Sequence, residues 1–296
     1  SEDLRIGGEI LKQQADVYRR LRNTLRYLLG SLQGFDARER LPLQDMPELE
    51  RWVLHRLAQL DTQLRQACEA LQFHGFFAEL HGFCAVDLSA FYFDIRKDAL
   101  YCDPADSIRR RAARTVLDAV FDCLTAWLSP FLCFTAEEAW LCRHPGEHDS
   151  VHLRTFPNLP AAWRDDALAE RWAVVRRVRR VVTGALELER AAKRLGSSLQ
   201  AHPQIWADDL HRQAVAGLDL SELAITSAAS LVDNGAPEDA FRLADVPGVA
   251  VRIALAEGTK CERCWQVLPD VGAHPEHPTL CRRCVGAVER HRAAAE

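Results

Sequence analysis

The stretch "ADVYRRLRNTLRYLLGSLQGFD", residues 15–36, places Tyr18, Leu21, Leu25, Leu28 and Leu32 at alternating steps of three and four residues. That spacing is one face of an α-helix. Arg19, Arg22, Asn23 and Arg26 repeat at the same steps on another face. Gly34 supplies a C-terminal stop, because glycine accepts the left-handed backbone that ends helices. An amphipathic helix over 10–32, apolar on one side and basic on another, is the expectation.

The segments that follow repeat the pattern. After Pro47, the stripe Leu49, Val53, Leu57, Leu60, Leu64, Ala67 and Leu71 predicts a second helix. Residues 72–101 are dense in aromatics and read as one or two buried helices. Ser107–Leu128 reads as another, stopped by Pro130, and the pair Thr135 and Glu138 marks a capping box at "TAEEAW". "VHLRTFP" (151–157) reads as extended. A long helix is expected over Asp165–Lys193, with Leu168, Trp172, Val175, Val178, Val182 and Leu186 as its buried stripe. "LGSSLQAHP" breaks it. Short β-like runs, "PQIWA", "LAITSAASLV" and "GVAVRIALA", then flank a helix near 208–217. The expected fold class is mainly α, in three parts: a helical bundle over 1–160, a long helix with a small α/β unit over 161–257, and a terminal zinc domain over 258–296.

The terminal part rests on "KCERCWQVLPDVGAHPEHPTLCRRCV", residues 260–285. Cys261 and Cys264, then Cys281 and Cys284, are Cys-x-x-Cys pairs separated by sixteen residues. The pattern is that of a four-cysteine zinc site. Each knuckle presents two thiolates to one cation, and four sulfurs close the tetrahedron, so the expectation is one structural Zn2+ with no open position for catalysis. Iron takes the same sulfur tetrahedron. His274 and His277 lie between the pairs as alternative ligands. Two roles are open to Trp265: an apolar lid over the metal, or a platform for an unpaired base beside Arg263, Arg282 and Arg283.

The other six cysteines (Cys68, Cys84, Cys102, Cys123, Cys133 and Cys142) stand singly in apolar segments and read as packing residues. With no basic-then-apolar leader in "SEDLRIGGEI" and no long apolar run, the expectation is a cytoplasmic protein with no membrane span. The formal net charge of −5 excludes a globally basic surface. Basic residues nevertheless cluster, as Arg109, Arg110, Arg111 and Arg114 on one helix and Arg171, Arg176, Arg177, Arg179 and Arg180 on another. Such clusters serve phosphates or simply face solvent. No nucleotide-binding loop, His-Glu-x-x-His or nucleophile elbow is present, so no catalytic residue is expected. Asp87, Asp94 and Asp98 are read as capping groups or ion-pair partners of Arg96 and Lys97.

"DLRIGGEILKQQADVYRRLRNTLRYLLGSLQGFD", "HGFCAVDLSAFYFDIRKDALYC", "SIRRRAARTVLDAVFDCLTAWLSPFLCFTAEEAW", "LELERAAKRLGSSLQA" and the terminal "KCERCWQVLPD…LCRRC" occur in one chain. In these segments the chain resembles the C-terminal region of bacterial isoleucyl-tRNA synthetases, a class I family. The resemblance implies an anticodon-binding helical bundle, isoleucine tRNA and the catalytic domain as partners, and a monomer. The family's HIGH and KMSKS signatures are absent, which implies that these residues alone do not activate an amino acid. Under the tRNA-binding reading, the expected RNA contacts are Arg19, Arg22, Asn23, Arg26, Trp52, Arg56, Arg110, Arg263, Trp265 and Arg283; the resemblance itself fixes the family and not these contacts. A zinc-stabilised scaffold and a free-standing RNA-binding protein are the alternatives.

Overall fold

The computed structural model describes residues 6–146 and 148–295; residues 1–5, Glu147 and Glu296, which the three-part reading includes, lie outside the described residues. The chain forms two compact units. One runs up to Leu100 and resumes at Asp106–Asp165; the other joins Tyr101–Ala105 to everything from Asp166 on.

The first unit is helical. α1 (Gly8–Ser31) buries Leu21, Leu25 and Leu28, as its spacing predicts. α2 (Glu48–Glu69) buries Leu49, Val53, Leu57, Leu60 and Leu64, and ends where Leu71 turns left-handed. α3 (Phe73–Gly82) runs into a wider-wound stretch, Phe83–Tyr92, and then α4 (Phe93–Cys102). The wide stretch is π-helical: the Phe93 N–H reaches back five residues to the Leu88 carbonyl. Its buried residues come in pairs, Phe83 and Cys84, Asp87 and Leu88, Phe91 and Tyr92. That repeat of four lies between the 3.6-residue turn of an α-helix and the wider turn of a π-helix.

α5 (Ile108–Leu128) starts at Ser107, whose hydroxyl accepts from the Arg110 N–H. It is the central helix of the unit, with Val116, Leu117, Val120, Phe121, Leu124 and Trp127 all buried. α6 (Cys133–Leu141) begins two residues before the expected capping box and has no side-chain cap. Thr135 sits inside the helix and its hydroxyl meets the Tyr18 hydroxyl at 3.1 Å instead. "VHLRTFP" is a short 3-10 turn, Val151–Leu153, and then irregular chain, not a strand.

In the core of this unit the Glu50 and Arg96 side chains, 0% and 2% exposed, form a two-armed ion pair with both N···O distances at 2.6 Å. The Tyr92 hydroxyl donates to Glu50 at 3.0 Å, and burial keeps that hydroxyl protonated far above the usual range. Arg96 therefore serves Glu50. The three aspartates expected beside it pair with Arg56 (Asp87), Lys97 (Asp94) and Arg109 (Asp98).

In the second unit, α7 (Asp166–Ala191) buries the whole expected stripe. It packs on a three-stranded sheet of order β2-β1-β3 and on α8. β1 (Ala201–Ala207) pairs antiparallel with β3 (Val249–Leu255) and parallel with β2 (Ser230–Leu231). α8 (Asp209–Val215) is capped by Asp208, and α9 (Leu220–Ala224) by Asp219. Of "LAITSAASLV" only Ser230–Leu231 is strand; Leu223 and Ala224 end α9, which a left-handed Ile225 terminates. The terminal module follows: a ribbon of β4 (Thr259–Lys260) and β5 (Val267–Leu268), then α10 (Arg282–Ala295). No helix among the described residues is long and apolar enough to cross a membrane.

All ten cysteines are free thiols. Cys84, Cys102 and Cys123 are buried as expected, and burial drives the Cys84 thiol up to about 12 and the Cys123 thiol higher than usual. Cys133 and Cys142 are exposed, so for these two the packing expectation fails: one opens α6 and the other lies just past its end.

Candidate metal centre and nucleic-acid interface

The two knuckles are folded by backbone hydrogen bonds before any metal is considered. The Cys261 N–H donates to the Gln266 carbonyl and the Trp265 N–H to the Cys261 carbonyl, both at 2.8 Å, with Trp265 left-handed at φ 66°. This turn brings Cys261 and Cys264 to one side. Cys281 directly precedes α10 and Cys284 lies in its first turn. The Asp270 carboxylate accepts from the Arg282 N–H at 2.9 Å, supplying negative charge where a helix start favours it.

All four cysteines are buried, and their sulfurs lie within 4.8 Å of one another. Cys264 Sγ and Cys281 Sγ are 3.8 Å apart. Sulfurs each ~2.3 Å from a shared tetrahedral centre stand about 3.8 Å apart. The donor set, its spacing and its burial therefore fit a Zn2+ ion. The thiols are uneven. Burial raises Cys261, but N–H groups of Cys264, Cys281 and Arg263 outweigh it and bring it below its ordinary value. Cys264 and Cys284 are raised, first by sulfur hydrogen bonds to Cys284 and Cys102 respectively. Cys281 is raised chiefly by burial. A cation bound by these four sulfurs displaces their protons. His274 and His277 stack on each other at 5.6 Å and do not join the four-sulfur group.

Trp265 is 61% exposed, and Lys260 Nζ lies 5.6 Å from its ring centroid. It is thus no buried lid over the sulfurs. The knuckle arginines turn inward. Arg263 donates to the Cys102 carbonyl at 2.6 Å and the Tyr101 carbonyl at 3.2 Å, and Arg283 pairs with buried Asp103 at 3.4 Å. Tyr101, Cys102 and Asp103 support the four-cysteine module from 162, 161 and 180 positions away, and no local pattern in the sequence marks them. Ser227, which accepts from the Val267 N–H at 2.7 Å, is a second such support.

On the first unit, Arg19, Arg22, Asn23 and Arg26 are all exposed on α1. Arg19 pairs with Asp16 at 2.9 Å. Arg22 and Arg26, with no ion pair among the described residues, line a groove of about 320 Å³ with Leu25, Thr135, Glu138 and Cys142. Phe134 of α6 is 92% exposed, and no motif of the sequence marks it. Of the remaining candidates Trp52 is buried, while Arg56 and Arg110 are half-buried and bonded within the protein. Trp52 is 3% exposed and packs edge-on against Phe91 at 5.3 Å, because it falls on the buried stripe of α2. Arg56 is held by Asp87 and Gln59. Arg110 donates to the Leu100 carbonyl at 3.3 Å.

Residues 50–204 match the family described as the anticodon-binding domain of tRNA ligase. The chain belongs to that family. Residues 258–286 match a zinc finger found in FPG and IleRS, which covers all four cysteines of the centre just described. Curated relatives agree over nearly the whole sequence. The isoleucine–tRNA ligase of Ruegeria pomeroyi is 53% identical, covering 97% of this chain and 30% of its own length. Those of Agrobacterium fabrum and Brucella abortus are 49% and 51% identical over the same share of this chain. The chain thus spans about 30% of the length of these relatives. The anticodon-binding match covers α2 to α7 of the fold just described and ends within β1.

Proposed function

We propose that this chain is the C-terminal, tRNA-binding part of an isoleucine–tRNA ligase. It receives the anticodon stem and loop of isoleucine tRNA while the ligase's catalytic domain joins isoleucine to that tRNA with ATP. The observation that carries this reading is the succession, in one chain, of the anticodon-binding match and the zinc-finger match, with isoleucine–tRNA ligases aligned over 97% of the residues. One Zn2+ held by Cys261, Cys264, Cys281 and Cys284 is structural in this reading, since four protein sulfurs leave no position for substrate. Arg19, Arg22, Asn23 and Arg26 meet phosphates of the stem, and Trp265 stacks on an unpaired base. The division at 160/161 and 257/258, the monomeric state and a cytoplasmic location belong to the same proposal. The chain alone lacks HIGH and KMSKS and forms no aminoacyl-tRNA.

The test is a titration of labelled isoleucine tRNA against the whole chain at several salt concentrations. Swapping the anticodon weakens binding by tenfold or more, as expected for stacked and paired base contacts worth ~1–3 kcal/mol each. The double variant Arg22→Glu/Arg26→Glu weakens it further and lowers the salt slope by about one to two units. Equal affinity for the swapped tRNA, with no salt dependence, sinks the proposal.

A further inference from the structure

Arg263 was expected to meet RNA, yet its guanidinium is spent inside the second unit on three acceptors. Its Nη1 donates to the Cys102 carbonyl at 2.6 Å and reaches Cys284 Sγ at 3.6 Å, while Nη2 donates to the Tyr101 carbonyl at 3.2 Å. Tyr101 and Cys102 are the last residues of α4, where carbonyls lack intrahelical partners and the helix dipole favours a cation. The Cys102 thiol returns a bond to the Arg263 carbonyl at 3.8 Å, so the contact is closed in both directions. Cys102 itself is buried and packs in one cluster with the four metal-site cysteines.

The chemistry of the centre explains why a guanidinium belongs there. Four thiolates around a divalent cation leave a net charge of −2 in a buried site, and buried charge is costly unless paired. An N–H···S bond from a permanently charged donor offsets part of that charge and holds the sulfur's orientation. Only a planar fork with several fixed N–H groups can serve two carbonyls and a sulfur at once; a lysine ammonium offers a point charge. We infer that Arg263 is a positioning residue of the metal centre, which caps the last turn of α4 and holds the Cys284 thiolate with one guanidinium. Arg283, paired with Asp103, braces the same stretch from the other knuckle. The inference rests on metal binding by the four cysteines and is independent of tRNA binding.

The experiment uses the zinc-loaded whole chain, with zinc release to a chromogenic chelator followed by absorbance. Arg263→Met weakens zinc retention 10–100-fold, the usual cost of losing an outer-sphere partner. Arg263→Lys recovers only part of it. Arg282→Ala removes an exposed arginine that is likewise next to a cysteine of the site in sequence, and leaves retention unchanged. In the cobalt-loaded protein, Arg263→Met moves the sulfur-to-cobalt charge-transfer band to lower energy, because a thiolate without its hydrogen bond gives up electrons more readily. A merely structural loss does not shift that band. Retention in Arg263→Met within twofold of the parent overturns the inference, as does full recovery by Arg263→Lys, an equal loss in Arg282→Ala, or an unmoved band. A parent chain that holds no zinc overturns it together with the zinc assignment.

Discussion

Glu50 and Arg96 show how one pair of side chains is committed by burial. Both are out of water, and each satisfies the other through two short bonds. Removing one charge strands its partner, which costs about 3–5 kcal/mol, a large part of the ~5–15 kcal/mol that holds a domain. Glu50→Gln is therefore expected to lower the urea midpoint of the helical unit sharply. Replacing both residues, as Glu50→Leu/Arg96→Met, is expected to restore most of the loss, because no charge is then left alone. A double variant as weak as the single one refutes this account. The same commitment explains why the arginines misled the sequence reading. Arg110, Arg111, Arg114, Arg171, Arg179 and Arg263 all donate to backbone carbonyls, several at the ends of helices. In sequence, a guanidinium that collects carbonyls looks the same as one that waits for a phosphate.

At the scale of elements, the period of the apolar residues fixed α1, α2, α5 and α7 to within a few residues. It could not settle Phe83–Tyr92, whose repeat of four fits neither ordinary period. The capping box at Thr135 failed because Leu132 already starts α6 and tertiary contact gives the Thr135 hydroxyl to Tyr18. The ribbon of the metal module depends on one backbone position. Gly258 has φ 117°, and a Cβ there would lie 2.2 Å from the Leu268 carbonyl carbon, an atom that cannot rotate aside. Gly258→Ala is expected to part β4 from β5 and to cost more than the ~1–3 kcal/mol of backbone strain alone. Loss of zinc on gel filtration and a lower melting temperature are the readouts. Gly286→Ala, on α10 with nothing within 4 Å of the added carbon, is expected to be neutral or stabilising by up to about 1 kcal/mol. If the two variants behave alike, the close approach at Gly258 is not what shapes the ribbon.

At the scale of the whole molecule, two compact units with separate cores are expected to unfold in two calorimetric transitions, which a single two-state description does not cover. Only the second unit contains the four cysteines, so a strong chelator is expected to lower one transition and leave the other in place. A single transition, or an equal shift of both, contradicts this. The sequence by itself determined α1, α2, α5 and α7, the breaks around them and the two cysteine pairs that fit a metal. Those depend on spacing over a few residues: a face repeats every three or four positions, and a knuckle needs two cysteines two residues apart. Only the tertiary structure decided where the charges went. Trp52 entered the helical core, half-buried Arg56 went to Asp87, Arg22 and Arg26 stayed on a groove, and Arg263 left its expected phosphate for Tyr101 and Cys102. Such choices turn on partners distant in the chain, because a polar group taken from water goes to whichever donor or acceptor the fold brings within about 3 Å.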